Sequence, residues 1–86
     1  MNIRLQDSVI EKYFTTTDLG LSASLLNKGF ELVQLDKLNP KKVQFIFLKR
    51  AGINKTINDY WSDKLNVNPR TYFDNIKLLK NRLYSN

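Results

Sequence analysis

The stretch FELVQLDKLNPKKVQFIFL, residues 30–48, decides the fold. Two runs with a period of two flank Asn39-Pro40: Phe30 and Leu32 alternate with Glu31, and Val43, Phe45 and Phe47 alternate with Gln44 and Ile46. That period places every second side chain on one face of a pleated strand. Asparagine at the first position and proline at the second suit a type I turn, because the fixed φ of proline matches the second residue of that turn. The stretch therefore reads as an antiparallel hairpin with Lys41 and Lys42 at its tip. Its second strand, 42–49, is more apolar than alternation requires, since Ile46 and Leu48 occupy the face opposite Phe45 and Phe47. That face needs a cover of its own, either the N-terminal segment or a helix, or else a protein partner or a second copy of the chain. Ile46 and Leu48 are accordingly the candidate partner-interface residues.

Upstream of the hairpin, Tyr13-Phe14-Thr15-Thr16-Thr17 is aromatic and β-branched and predicts a short strand. Asp18 stands where an N-cap is wanted, and Gly29 can take the left-handed conformation that ends a helix, which predicts a helix over 19–28. Leu19, Ala23 and Leu26 share one face of it, widened by Leu21, Ser22 and Leu25. Downstream, Ile53, Ile57, Tyr60, Trp61 and Leu65 fall on one side of a second helix, with Asn54, Lys55, Asn58, Asp59 and Ser62 on the other. Asn68-Pro69 starts a third helix, since Asn caps well and Pro is favoured at the first helical position. It runs to about Tyr84, and Tyr72, Ile76, Leu79 and Leu83 lie within roughly 60° as a core stripe flanked by Phe73 and Tyr84. The expected architecture is one small α+β domain over 13–86, in β-α-β-β-α-α order, after an N-terminal segment 1–12. An antiparallel hairpin sheet packs on the helices.

A chain of 86 residues supports one modest core, which disfavours a deep catalytic cleft. It contains neither cysteine nor histidine, so thiol nucleophiles, imidazole bases and zinc sites built on these residues are excluded. The carboxylates form no spacing suited to a metal. Asp59 and Asp63, at i and i+4, are flanked by Lys55 and Lys64 and read as helical ion pairs. The glycines at 20, 29 and 52 are isolated and make no phosphate loop. Tyr72, the remaining nucleophile of note, falls on the core stripe. We therefore expect a protein that is not an enzyme and needs no cofactor and no metal. The longest apolar run, Phe45 to Leu48, is far short of the roughly 20 residues that span a bilayer. MNIRLQDSVI, residues 1–10, lacks the apolar core of a secretory signal, and a cytoplasmic protein without membrane contact is expected. Ten asparagines and an excess of lysine over arginine match the low-GC coding background of a bacterium or phage.

The net charge of +6 is uneven: residues 1–43 carry six Lys or Arg against five acids, whereas residues 44–86 carry eight against three. Such asymmetry suits a polyanionic partner, although small soluble domains also use a surplus of this size for solubility. The candidate nucleic-acid-binding residues are Lys41 and Lys42 at the hairpin tip, Lys49 and Arg50 after the second strand, and Arg70, Lys77 and Asn81 on the third helix. The last three fall within about 40° on the side opposite the core stripe, where side chains can reach phosphates and a base edge. The competing reading pairs Arg70 and Lys77 with Asp74 at i+4 and i+3, making the same face a solvated, self-neutralised one. Of the ten aromatics, Phe30, Phe45, Phe47, Trp61, Tyr72 and Phe73 occupy expected core positions, and Tyr13, Tyr60 and Tyr84 are the expected exposed ones.

Across residues 14–84, FTTTDLGLSASLLNKGFELVQLD, NPKKVQFIF and NPRTYFDNIKLLKNRLY together resemble a family of short bacterial and phage domains of unknown function. The matching positions are Thr17, Asp18, Gly29, Phe30, Asn39, Pro40, Pro69, Tyr72, Phe73, Leu79 and Tyr84. The resemblance implies one α+β module, often carried on mobile elements, and no activity. The resulting expectation is a small accessory protein that binds nucleic acid through its basic residues. The alternative is a protein-interaction module, such as a phage inhibitor of a host complex or a small virion part, acting through the Ile46 and Leu48 face.

Overall fold

Asn39 closes the hairpin turn twice over. Its carbonyl accepts from the Lys42 amide at 3.0 Å, and its side-chain Oδ1 accepts from the Lys41 amide at 3.0 Å. The computed structural model describes residues 12–85. The turn joins β2 (Leu32–Asp36) to β3 (Gln44–Leu48), and β1 (Tyr13–Thr16) pairs with the other edge of β3. The sheet order is thus β1-β3-β2 with both pairings antiparallel, and the most apolar strand lies in the centre. The helices are α1 (Leu19–Asn27), α2 (Ile53–Trp61) and α3 (Pro69–Tyr84), so the expected β-α-β-β-α-α order and α+β class hold. An N-terminal unit over 1–12 and the expected lack of a secretory signal rest on residues that, Lys12 apart, lie outside the described ones. No described helix is long and apolar enough to cross a membrane.

The pairing of β2 with β3 shifts register between Leu32 and Gln34. Strict alternation from Leu32 would turn Gln34 inward. The bulge restores the phase, so Leu32 pairs with Phe47, Leu35 pairs with Phe45, and both leucines pack on the core. Phe30, expected to begin the strand, lies in the loop before it and also packs on the core.

Helix α1 is the centre of the structure. Asp18 Oδ1 accepts from the Leu21 amide at 2.7 Å, which satisfies one of the free amides of the first turn. The far end closes with the Phe30 amide on the Leu25 carbonyl and the Gly29 amide on Leu26, with Gly29 at φ +91°. This is the Schellman arrangement, which a side chain at position 29 would strain. Every residue from Leu21 to Leu25 is buried, because α1 lies against both other helices as well as over the core face of the sheet. Its buried serines are satisfied locally: Ser22 Oγ donates to the Asp18 carbonyl at 2.8 Å and Ser24 Oγ to that of Gly20 at 2.9 Å.

Helix α2 is shorter than the sequence pattern suggests. Asp63 adopts φ +60° just beyond Trp61, and the chain leaves the helix there, so Leu65 lies in the connector and Asp63 is no i+4 partner on the helix. Trp61, expected in the core, is 61% exposed and stands edge-on to Tyr60 at 5.0 Å. Helix α3 starts as expected, with Asn68 Oδ1 accepting from the Thr71 amide at 3.0 Å and Pro69 in the first turn. Its stripe is inward: Leu79 is fully buried, and Tyr72, Ile76 and Leu83 pack on the core of Leu21, Ala23, Leu25, Phe45, Phe47 and Ile53.

Ile46 and Leu48 are half-buried on the opposite face of the sheet. Beside Ile46 is a shallow depression of about 250 Å³ lined by Tyr13, Thr15, Val33, Gln34 and Ile46, all of them strand residues. Residues 1–11, one of the covers the sequence offered for this face, lie outside the described ones.

Candidate nucleic-acid interface

The outward face of α3 carries both charge and aromatic surface. At 100° per residue, Lys80, Phe73, Tyr84, Lys77, Arg70 and Asn81 fall within an arc of about 100°, which runs from about 70° to about 170° from the centre of the buried stripe. All six are exposed, Phe73 at 59% and Tyr84 at 83%. Phe73 was expected inside. The same helical arithmetic explains its position, since it lies about 90° from the centre of the stripe and Tyr84 about 110° from it. The Lys77 ammonium stands 5.3 Å from the centroid of the Phe73 ring, a cation–π contact that holds the ring beside the charge.

Asp74 makes no ion pair on this face within 4.0 Å. Among the described residues the ion pairs within 4.0 Å are Arg50 with Glu31 at 3.8 Å and Lys55 with Asp59 at 2.8 Å. The pairing of Asp74 with Arg70 and Lys77 that the helical spacing suggested is absent. Lys77 turns to the aromatic ring instead.

At the C-terminal end of α3 the helix meets the hairpin tip. The Lys37 ammonium donates to the carbonyls of Arg82 at 2.6 Å and Ser85 at 2.7 Å, satisfying carbonyls that the helix leaves unpaired and complementing its negative end. This tie, spanning 45 residues of sequence, was not legible beforehand. It brings Lys41 and Lys42 beside Leu83 and Tyr84 around a cleft of about 520 Å³. Five of the seven expected contact residues, Lys41, Lys42, Arg70, Lys77 and Asn81, thus belong to α3 or the tip at its end. Lys49 and Arg50 do not. They follow the other end of β3, about 23 Å from the tip at 3.3 Å per extended residue, and Arg50 faces Glu31.

At the start of α1, Asp18 Oδ1 also accepts from the Tyr60 hydroxyl at 3.0 Å. Burial, and then the bond to Asp18 and its negative charge, push the Tyr60 pKa up to about 12. Gly20 makes room for this contact, because a Cβ there would lie 2.5 Å from the Tyr60 hydroxyl and 3.1 Å from that of Tyr72. Tyr60, expected to be exposed, is therefore a half-buried clamp between α1 and α2. The neighbouring Ser24 hydroxyl donates to the Gly20 carbonyl.

The fold is a small α+β module, a three-stranded antiparallel sheet with β3 central and three helices contributing to its core. The chain belongs to the family described as domain of unknown function DUF5659, whose model matches residues 11–85. The expected membership of a family of short domains of unknown function is thereby met. No curated protein and no solved structure matches it.

Proposed function

We propose that this domain is a non-enzymatic accessory protein of a bacterium or phage that binds nucleic acid through the outward face of α3 and the adjoining hairpin tip. The observation that supports the reading best is the composition of that face: Arg70, Lys77 and Lys80 stand among exposed Phe73 and Tyr84, and Asp74 pairs with none of the cations. Cations place a phosphate backbone, and exposed aromatic rings offer surface on which bases stack. The contact set is Lys41, Lys42, Arg70, Lys77 and Asn81, with Phe73, Lys80 and Tyr84 added by the geometry.

Fluorescence anisotropy with labelled DNA and RNA tests this. Lys77→Ala is expected to weaken binding to all sequences alike and to flatten the salt dependence by about one phosphate contact. Asn81→Ala is expected to change sequence preference instead. Equal affinity of both variants with the wild type for every probe would remove α3 from the interface.

A second reading is favoured by the outer face of the sheet. Tyr13, Ile46 and the 40% exposed Val33 border a depression lined by strands alone, and an apolar face of that kind suits a protein partner or a second copy of the chain. Under this reading Ile46→Lys abolishes an oligomer or complex, measured by sedimentation, while circular dichroism shows the monomer folded. Unfolding of the variant would mean that Ile46 belongs to the core.

A further inference from the structure

We infer that the cleft at the C-terminal end of α3 is a seat for an unpaired base, and hence that the nucleic acid bound is single-stranded. The inference rests on the nucleic-acid reading and adds the substrate class. The cleft, about 520 Å³, lies in the range of about 300–1,000 Å³ typical of small-ligand sites. Its walls separate by chemistry. Leu19, Val43 and Leu83 supply apolar surface over the buried Phe45, Lys41 and Lys42 supply charge from the turn, and Tyr84 stands at the edge.

Each part answers to one part of a nucleotide. Tyr84 is the last residue of α3 and 83% exposed, so its ring is spent on neither the core nor a neighbouring ring and presents a face to whatever enters. Lys41 and Lys42 are exposed, and no acid lies within 4.0 Å of either among the described residues, so each can turn to a phosphate that enters the cleft. The two sides are held in register. The Lys37 bonds to Arg82 and Ser85 anchor the end of α3 to the chain just after β2, and the doubly closed Asn39 turn fixes Lys41 and Lys42. A seat of this kind selects against a duplex, whose base faces are stacked and paired and only whose edges reach the grooves. Unpaired bases of a single strand can be turned out and stacked on an aromatic ring, with cations following the backbone. The cleft also continues the α3 face through Tyr84, so a strand seated there can run on along Lys80, Lys77 and Phe73 toward Arg70.

The test compares the full chain with Tyr84→Ala, Tyr84→Phe, Lys41→Ala/Lys42→Ala and Lys77→Ala on two labelled probes. One probe is a single strand of about twelve nucleotides, within the site sizes of about 4–16 seen for such binders. The other is the same strand paired with its complement. The exposure of Tyr84 at the helix end keeps the fold out of the comparison. The expected result is tighter binding of the single strand, weakened by about 5- to 150-fold in Tyr84→Ala and retained in Tyr84→Phe, with the duplex little changed. The Lys41→Ala/Lys42→Ala pair is expected to lower the slope of log affinity against log salt on the single strand by about 1.4, or about 0.7 per lysine. Duplex bound as tightly as single strand, with Tyr84→Ala silent and Lys77→Ala weakening both, would overturn the base seat and leave the α3 interface standing. Binding of neither probe at low salt would overturn both.

Discussion

Phe47→Ala is expected to destabilise the fold by about 3–5 kcal/mol, whereas Phe73→Ala is expected to change stability by no more than about 0.5 kcal/mol. Both phenylalanines occupy apolar positions in the sequence, and their settings differ. Phe47 is fully buried on the central strand, paired with Phe14 on one side and Leu32 on the other, so removing its ring leaves a cavity that neither neighbouring strand can close. Phe73 is 59% exposed, and its contact is the Lys77 ammonium. Urea denaturation followed by circular dichroism checks the pair, with the shift in midpoint read at constant slope. Equal losses in the two variants would mean that Phe73 is core and that the aromatic part of the proposed interface does not exist. The same experiment thus bears on fold and function together.

The second large effect concerns Asp18. One carboxylate oxygen caps α1 and accepts from Tyr60, so Asp18→Ala removes an N-cap, at about 0.5–2 kcal/mol, and strips the half-buried tyrosine hydroxyl of a charged acceptor, at about 1.5–3 kcal/mol. A combined loss of about 2–5 kcal/mol is expected, and Asp18→Asn, which keeps an acceptor oxygen and is an equally good cap, should recover most of it. Alkaline pH tests the contact from the tyrosine side. The Tyr60 hydroxyl titrates near 12 in the fold and near 10 in the unfolded chain, so the folded state holds its proton longer. Its contribution is complete below pH 10 and is lost as the pH rises from about 10 to about 12. Other groups titrate in the same range, so the quantity to measure is the difference between the wild type and Tyr60→Phe. That difference is expected to fall across this window; a constant difference would mean that the Tyr60 proton is not held by Asp18.

Local chemistry was legible in the sequence, and tertiary placement was not. The Asp18 and Asn68 caps, the Gly29 helix end and the Asn39-Pro40 turn each follow from what one side chain does to its own backbone, and all four form as expected. The bulge between Leu32 and Gln34 has no residue signature, since Val33 and Gln34 suit a regular strand, and it exists because Leu35 must face the core. The seat of β1 beside β3 is a pairing across some thirty residues that periodicity does not encode. Apolar character also proved a poor guide to burial. Trp61 is the last residue of α2 and 61% exposed, and Phe73 lies too far round α3 to reach the sheet. The basic residues of the candidate site were legible by type and helical angle. Which of them remain unpaired was not, because that depends on Glu31 reaching Arg50 and on Lys77 preferring a ring to Asp74.

The central claim is that a polyanion binds the face built on α3, and salt titration tests it most directly. Anisotropy of labelled single- and double-stranded DNA and RNA should be measured at two salt concentrations about fourfold apart. With about four phosphates neutralised, affinity for a single strand is expected to drop about 50-fold between the two conditions. Absence of binding at the lower salt, or an affinity indifferent to salt, would contradict the claim and leave the surplus of +6 as a device for solubility.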